Sequence, residues 1–157
     1  MPLPTESRSI LKKLLTVVTQ RAFSLLEILD KEYDALLEVH PGELADITTH
    51  KIKALSELET ADQVLQDFLT PLGAGPGGVV IEHILEDCPE CAQRWHILTK
   101  ALNQLREHNL RNGAVLNKNQ QRTTQIITII TGREQLTEYT RQGGIPLELS
   151  SRSLAKA

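Results

Sequence analysis

Residues 7–37 read SRSILKKLLTVVTQRAFSLLEILDKEYDALL, and this stretch decides the fold class. Its apolar residues recur at alternating steps of four and three, at Leu11, Leu15, Val18, Ala22, Leu25 and Leu29. That spacing is the heptad repeat of a helix that packs against another helix. No glycine or proline interrupts the run, so the stretch predicts one long helix over about residues 7–38.

A short break and a second apolar repeat come next. His40-Pro41-Gly42 is expected to end the first helix, because proline disfavours a helical residue before it and glycine favours turns. Aliphatic residues then recur at helical spacing and predict a second helix over about residues 42–70. The following segment, 71–78, contains GAGPGG at its end and is predicted to be a linker.

The third helix is predicted to be the longest. Asp87 and Glu90 are spaced as a capping box, which places the start of this helix near residue 87. Pro89 is tolerated in the first turn of a helix, and no breaker stronger than Gly113 follows before Gly132. The helix is therefore predicted over about residues 87–131, or roughly 60 Å at 1.5 Å per residue. Each of the first two helices reaches only roughly 45 Å. One helix therefore extends beyond a shorter hairpin.

These runs predict an all-α fold. The expected architecture is an antiparallel three-helix hairpin or coiled-coil bundle, in a single domain of residues 1–157. Only 3% of the residues are aromatic, and an aliphatic core of this kind suits the interlocking seams between helices. The segment 132–157 is polar apart from isolated apolar residues, and we expect it to be a mobile tail.

Composition and charge argue against several classes of function. The formal net charge is −3 and few aromatic side chains are available to stack on bases, so nucleic-acid binding is not expected. The sequence has no apolar stretch of about 18 residues that would span a membrane. Residues 1–7 lack the pattern of a secretory signal. We therefore expect a cytoplasmic protein that is not inserted in a membrane.

Cys88 and Cys91 form a C-x-x-C pair at the predicted start of the third helix. No βαβ pattern of a thioredoxin-like protein surrounds the pair. His83 and His96 would complete four zinc ligands, although Cys91 and His96 are five residues apart and align poorly on one helix. Two ordinary thiols are the favoured interpretation, and a metal site and a redox pair are the alternatives. We expect no cofactor and no enzyme activity, because no nucleophile–base pair is evident.

The apolar seam of the third helix changes character midway. It begins with Trp95, Leu98, Leu102 and Leu105, and the same rhythm continues through Asn109, Asn112, Leu116 and Asn119. Asparagine at a buried seam position can fix helix register, because a slipped pairing would leave its amide unsatisfied. Alternatively, the hairpin ends here and these amides face water. Gly113 costs the helix about 1 kcal/mol relative to alanine, and the close approach of another backbone would offset this.

The end of the third helix is unusually apolar. Residues 122–131 read RTTQIITIIT, and the isoleucines at 126, 127, 129 and 130 cover more than one helix face. A single hairpin cannot bury that much surface, so we predict that a partner protein binds here. The alternative is that the segment packs on the protein's own core or on an identical subunit.

The pattern on the third helix resembles the FlgN family of flagellar export chaperones. The resemblance rests on Arg94-Trp95, Thr99, Leu105-Arg106, Asn109, Asn112-Gly113, Leu116, Arg122 and Gln125. Tyr139, followed four residues later by Gly143, resembles a tyrosine-containing turn of that family. The glycine-rich loop at 73–78 and the segment Gly143-Gly144-Ile145-Pro146 depart from the family pattern.

The resemblance implies a cytoplasmic, non-enzymatic chaperone of type III secretion. Such proteins bind the C-terminal helices of hook-associated proteins, which form the hook–filament junction of the flagellum. They prevent premature assembly of these clients and deliver them to the export gate and its associated export components. Carried over to this chain, the client surface begins near Asn119, and Tyr139 matches the tyrosine associated with docking at the gate.

The candidate site residues follow from these arguments together. The predicted partner-binding residues are Leu116, Ile126, Ile127, Ile129, Ile130, Leu136 and Tyr139. The residues predicted to set helix register, which are also family motif residues, are Trp95, Asn109, Asn112 and Gly113. The alternative functions are a helical self-association module that forms a homodimer without an export role, or a C-x-x-C thiol or zinc protein.

Overall fold

The computed structural model describes residues 2–74 and 81–131, with side chains described at 2–74, 81–119 and 121. These residues form helices and connecting turns without a strand, which confirms the predicted all-α fold. The described residues contain the α-helices α1 (Thr5–Glu38), α2 (Pro41–Leu69), α3 (Ile81–Glu86) and α4 (Pro89–Thr131), and a 3₁₀ turn covers Thr70–Leu72. None of the described helices combines the length and the apolar character needed to cross a membrane. The predicted tail at 132–157 lies outside the described residues.

Helix α1 is central, because it packs along both α2 and α4. It runs antiparallel to α2: Arg21 of α1 pairs with Glu57, and Glu32, further along α1, pairs with the earlier Lys51. It runs parallel to α4, since Lys12 pairs with Glu90 near the start of both helices and Leu29 contacts Asn112 further along both. The chain therefore runs up, down and up again through α1, α2 and α4.

The predicted heptad seam of α1 forms the core. Its six apolar residues from Leu11 to Leu29 are each at most 1% exposed. They face the buried residues Leu58, Leu65, Leu98 and Leu105 of the other two long helices. Full burial of each leucine or valine side chain contributes about 1.5–3 kcal/mol, so this aliphatic seam is a main source of stability.

The corner between α1 and α2 differs from the predicted one. Gly42 does not form the turn but lies inside the first turn of α2, and Pro41 is the first helical residue. The left-handed conformation that ends α1 falls on Val39, with φ 56° and ψ 59°. Proline is tolerated at the first helical position because its missing N–H has no intrahelical acceptor there. The break therefore lies at Val39 and His40.

The start of α4 also corrects two predictions. The helix begins at Pro89, and Cys88 rather than Asp87 is its cap: the backbone N–H of Cys91 donates to Cys88 Sγ at 3.3 Å. Cys88 and Cys91 are joined in a disulfide, so the interpretation of two ordinary thiols is wrong. The first turn of the helix holds their Cα atoms 5.1 Å apart, a separation within disulfide range.

A buried acid in α2 gives a stability prediction. Asp62 is 3% exposed, and burial raises the pKa of its carboxyl, while the hydrogen bond from Gln66 Nε2 to its Oδ1 lowers it. The folded protein therefore holds this proton more tightly than the unfolded chain. The contribution of Asp62 to stability is present below the ordinary pKa of 3.8 and is lost as the pH rises through the raised folded value.

We expect Asp62→Asn to raise the free energy of unfolding at pH 7 by about 1–3 kcal/mol, since a neutral amide avoids burial of the charge. The gain should shrink toward pH 4, where the wild-type carboxyl takes up its proton. Urea denaturation of both proteins at the two pH values measures this. A gain of the same size at both pH values would contradict the assignment of the effect to the buried charge.

Candidate partner-binding site

Three polar side chains, one from each long helix, meet inside the bundle. Glu32 of α1, Lys51 of α2 and Asn112 of α4 are 9%, 3% and 2% exposed. Lys51 Nζ donates to both carboxylate oxygens of Glu32 at 3.1 Å. Asn112 Nδ2 donates to Glu32 Oε2 at 2.8 Å and to the backbone oxygen of Leu29 at 2.7 Å. We call this cluster the polar layer.

The contacts of the polar layer favour one alignment of the three helices along the bundle axis. A shift of α2 against α1 by one turn would separate the buried Glu32 carboxylate from the buried Lys51 cation, which costs about 3–5 kcal/mol. A shift of α4 against α1 would leave the Asn112 amide without its acceptors. The predicted register role of Asn112 therefore has a physical basis in this contact set, and the alternative that Asn112 faces water is wrong.

A second set of contacts lies beside the buried Asn112, nearer the surface of the bundle. Arg111 Nε donates to Asn112 Oδ1 at 3.1 Å, and Arg111 Nη2 donates to Asp30 Oδ1 at 3.2 Å. The guanidinium also lies 3.9 Å from the centroid of the Tyr33 ring, at cation–π distance. His108 Nδ1 lies 3.1 Å from the same Asp30 oxygen. The contacts of Arg111 with Asp30 and Tyr33 join α4 to α1 on the outer side of the polar layer.

Asn119 marks the point where α1 ends beside α4. Its Nδ2 donates to the backbone oxygen of Leu36 at 3.2 Å. Leu36 lies in the last turn of α1, where carbonyl groups have no intrahelical donor and need another partner. A side chain of α4 thus caps the C-terminus of α1. The two helices therefore run side by side up to Asn119.

Helix α4 continues beyond this point. It is 43 residues long, compared with 34 for α1 and 29 for α2. The segment 120–131, which we call the α4 overhang, adds about twelve residues or roughly 18 Å of helix beyond Asn119. Ile126, Ile127, Ile129 and Ile130 belong to this helical segment, while their side chains lie outside the described ones. The overhang extends past the last residue of α1.

The other predicted site residues are distributed along α4. Trp95 is buried in the core, and Asn109 and Leu116 are half-buried. Leu136 and Tyr139 lie outside the described residues.

None of the sequence patterns predicted Glu32, Lys51 or Arg111 as functional-site residues. Lys51 occupies a seam position between Ile47 and Leu55, and a lysine within an apolar repeat is the signal that points to a buried partner.

Gly113 corrects one prediction. A Cβ atom built at this position would meet nothing within 4 Å in the described part of the chain, so no close neighbouring backbone explains the glycine. We expect Gly113→Ala to raise the free energy of unfolding by about 1 kcal/mol through helix propensity alone. Chemical denaturation at equilibrium measures the change. A loss of stability would show that the position is crowded after all.

The cysteine and histidine cluster does not assemble. Cys88 and Cys91 are bonded to each other, and His83 Nδ1 faces Glu86 at 3.4 Å on the surface. Within residues 2–74 and 81–131, no three histidine, cysteine, aspartate or glutamate side chains are grouped so as to hold a metal ion. The structure thus gives no support to the zinc alternative in this part of the chain.

Comparison with known proteins places this geometry in context. The model of the family described as FlgN protein matches residues 1–146, which is most of the 157-residue chain. The match spans α1 to α4 and includes the polar layer and the α4 overhang. No curated protein and no solved structure matches the chain.

Proposed function

Since the chain belongs to the FlgN family of flagellar export chaperones, we propose that its clients are the hook-associated proteins of the hook–filament junction. It binds the C-terminal helices of these clients in the cytoplasm. Coverage of those helices prevents premature assembly, because the apolar faces that would pair in the flagellum are occupied. The chaperone then delivers the client to the export gate of type III secretion, with Tyr139 as the residue that docks there.

The observation that supports this proposal is the α4 overhang. The polar layer and the Asn119 cap set the register of α4 against α1, so that segment 120–131 extends past the end of its own helical partner. Within residues 2–74 and 81–131, α1 does not accompany this part of α4, and such a seam is suited to an amphipathic helix from another chain, which is recognised through positions i, i+3, i+4 and i+7. On the overhang, positions 123, 126 and 130 continue the seam that Leu116 and Asn119 begin.

The experiment that tests the proposal is size-exclusion chromatography with light scattering. We expect the purified protein to be a monomer that forms a one-to-one complex with a hook-associated protein. Truncation of the client's C-terminal helix should abolish this complex. A tight homodimer that does not bind the client would favour the self-association module instead, with two overhangs paired against each other.

A further inference from the structure

Val39 is unfavourable for the free protein in two ways. Its φ of 56° lies in the left-handed region, where the two γ-methyl groups of a valine crowd the backbone and where glycine or asparagine is usual after a helix. Its side chain is 66% exposed, so the isopropyl group gains little from burial within this chain. Neither the backbone conformation nor the solvent exposure explains why an apolar, branched residue stands here.

A second exposed apolar residue lies beside it. Leu37, in the last turn of α1, is 56% exposed. The preceding residue, Leu36, accepts the hydrogen bond from Asn119, so this corner is adjacent to the base of the α4 overhang. We call Leu37 and Val39 the apolar corner. Strained backbone conformations are concentrated at functional sites such as ligand contacts. The position of the apolar corner beside the α4 overhang points to a contact with the chain that binds there.

We propose that the apolar corner is the end wall of the client site and contacts the end of the helix that lies along the α4 overhang. This inference rests on the proposed function. The occupant is a client helix because the site continues the α1–α4 seam: beyond Asn119, a helix in the place of α1 would lie along α4 and abut the end of α1. The client helix therefore carries aliphatic side chains at the end that meets Leu37 and Val39.

The test compares Val39→Thr with a matched control. Threonine keeps the branched shape and the left-handed strain but replaces a methyl group by a hydroxyl. We expect it to weaken binding of the client by about tenfold, because the hydroxyl is buried without a partner. Val64→Thr changes an exposed valine beside Leu14 and Val17, toward the opposite end of the α1–α2 hairpin, and should leave the affinity unchanged. Calorimetric titration with the C-terminal helical segment of a hook-associated protein measures both.

A second variant separates the strain from the contact. Val39→Gly relieves the left-handed strain and removes the side chain, so it should raise the midpoint of thermal unfolding while it weakens client binding. Leu37→Ser should weaken binding without a change in the circular dichroism spectrum. A purely structural role for the corner predicts that stability changes and affinity does not.

The outcomes distinguish this inference from the function on which it rests. If the wild-type protein binds the client and the Val39 and Leu37 variants bind equally well, the proposed contact between the apolar corner and the client is wrong, while the chaperone function stands. If the wild-type protein does not bind the client, the proposed function fails and the corner fails with it. Weakened binding by the corner variants, with an unchanged Val64→Thr control, supports the corner.

Discussion

Replacement of Ile126 and Ile130 together by aspartate is expected to abolish client binding while the far-ultraviolet circular dichroism of the protein stays almost unchanged. Each isoleucine buried at the interface contributes about 1.5–3 kcal/mol, and an aspartate there also buries an unpaired charge. The combined loss corresponds to an affinity reduced by at least about a hundredfold. Both positions lie in the last turns of α4, beyond the residue that contacts the end of α1, so we expect the described bundle core to be unchanged.

Ile97→Asp provides the control for this prediction. Ile97 is an exposed isoleucine on the same helix, near the opposite end. The control should bind the client as the wild-type protein does in calorimetric titration. If the double variant binds with wild-type affinity, the overhang is not the client surface.

The second large effect is expected at the polar layer. Lys51→Met removes the buried cation and leaves the Glu32 carboxylate with Asn112 as its remaining polar side-chain contact in the described structure. Loss of one partner of a buried ion pair costs about 3–5 kcal/mol, which would lower the melting temperature by about 10 °C for a chain of this size. Urea denaturation and thermal unfolding measure the two quantities.

An exposed ion pair gives the matched control. Arg21 and Glu57 also join α1 to α2, but their side chains are far more exposed than those of Lys51 and Glu32. Arg21→Met should therefore change the free energy of unfolding by about 1 kcal/mol or less. If Lys51→Met and Arg21→Met both changed the free energy of unfolding by a similarly small amount, Glu32 and Lys51 would not behave as a buried ion pair shielded from water.

A fully apolar layer separates stability from register. The triple replacement Glu32→Leu, Lys51→Met and Asn112→Leu removes all buried charge and should recover most of the stability lost in Lys51→Met. It also removes the groups that penalise a slipped alignment of α4. We therefore expect the triple variant to be stable and to bind the client less well than the wild-type protein.

The helices could be predicted because their signal is local. The alternating four- and three-residue spacing from Leu11 to Leu29 predicts which face of α1 is buried. In the structure that face lies in the core of the bundle. The seam position of Asn112 could be predicted for the same reason. Its neighbours in the polar layer could not, because Glu32 and Lys51 are 80 and 61 residues away in the sequence and only tertiary packing brings them together.

Two local features could not be read from residue types. A valine in the left-handed region contradicts the usual preference. The sequence therefore predicted the break at His40-Pro41-Gly42, and the structure places it at Val39 and His40. The C-x-x-C spacing is shared by thiols, metal ligands and disulfides, and only the first turn of α4 decides between them. The partner-binding role of the overhang isoleucines stays a prediction.

Amide hydrogen exchange tests the central claim most directly: the α4 overhang is the part of this chain that a client helix occupies. The protein is labelled alone and with the C-terminal helical segment of a hook-associated protein. We predict that peptides covering residues 120–131 gain protection when the client is present, while peptides from the α1 core between Leu11 and Leu29 do not change. Unchanged exchange across residues 120–131 in a saturated complex would contradict the account.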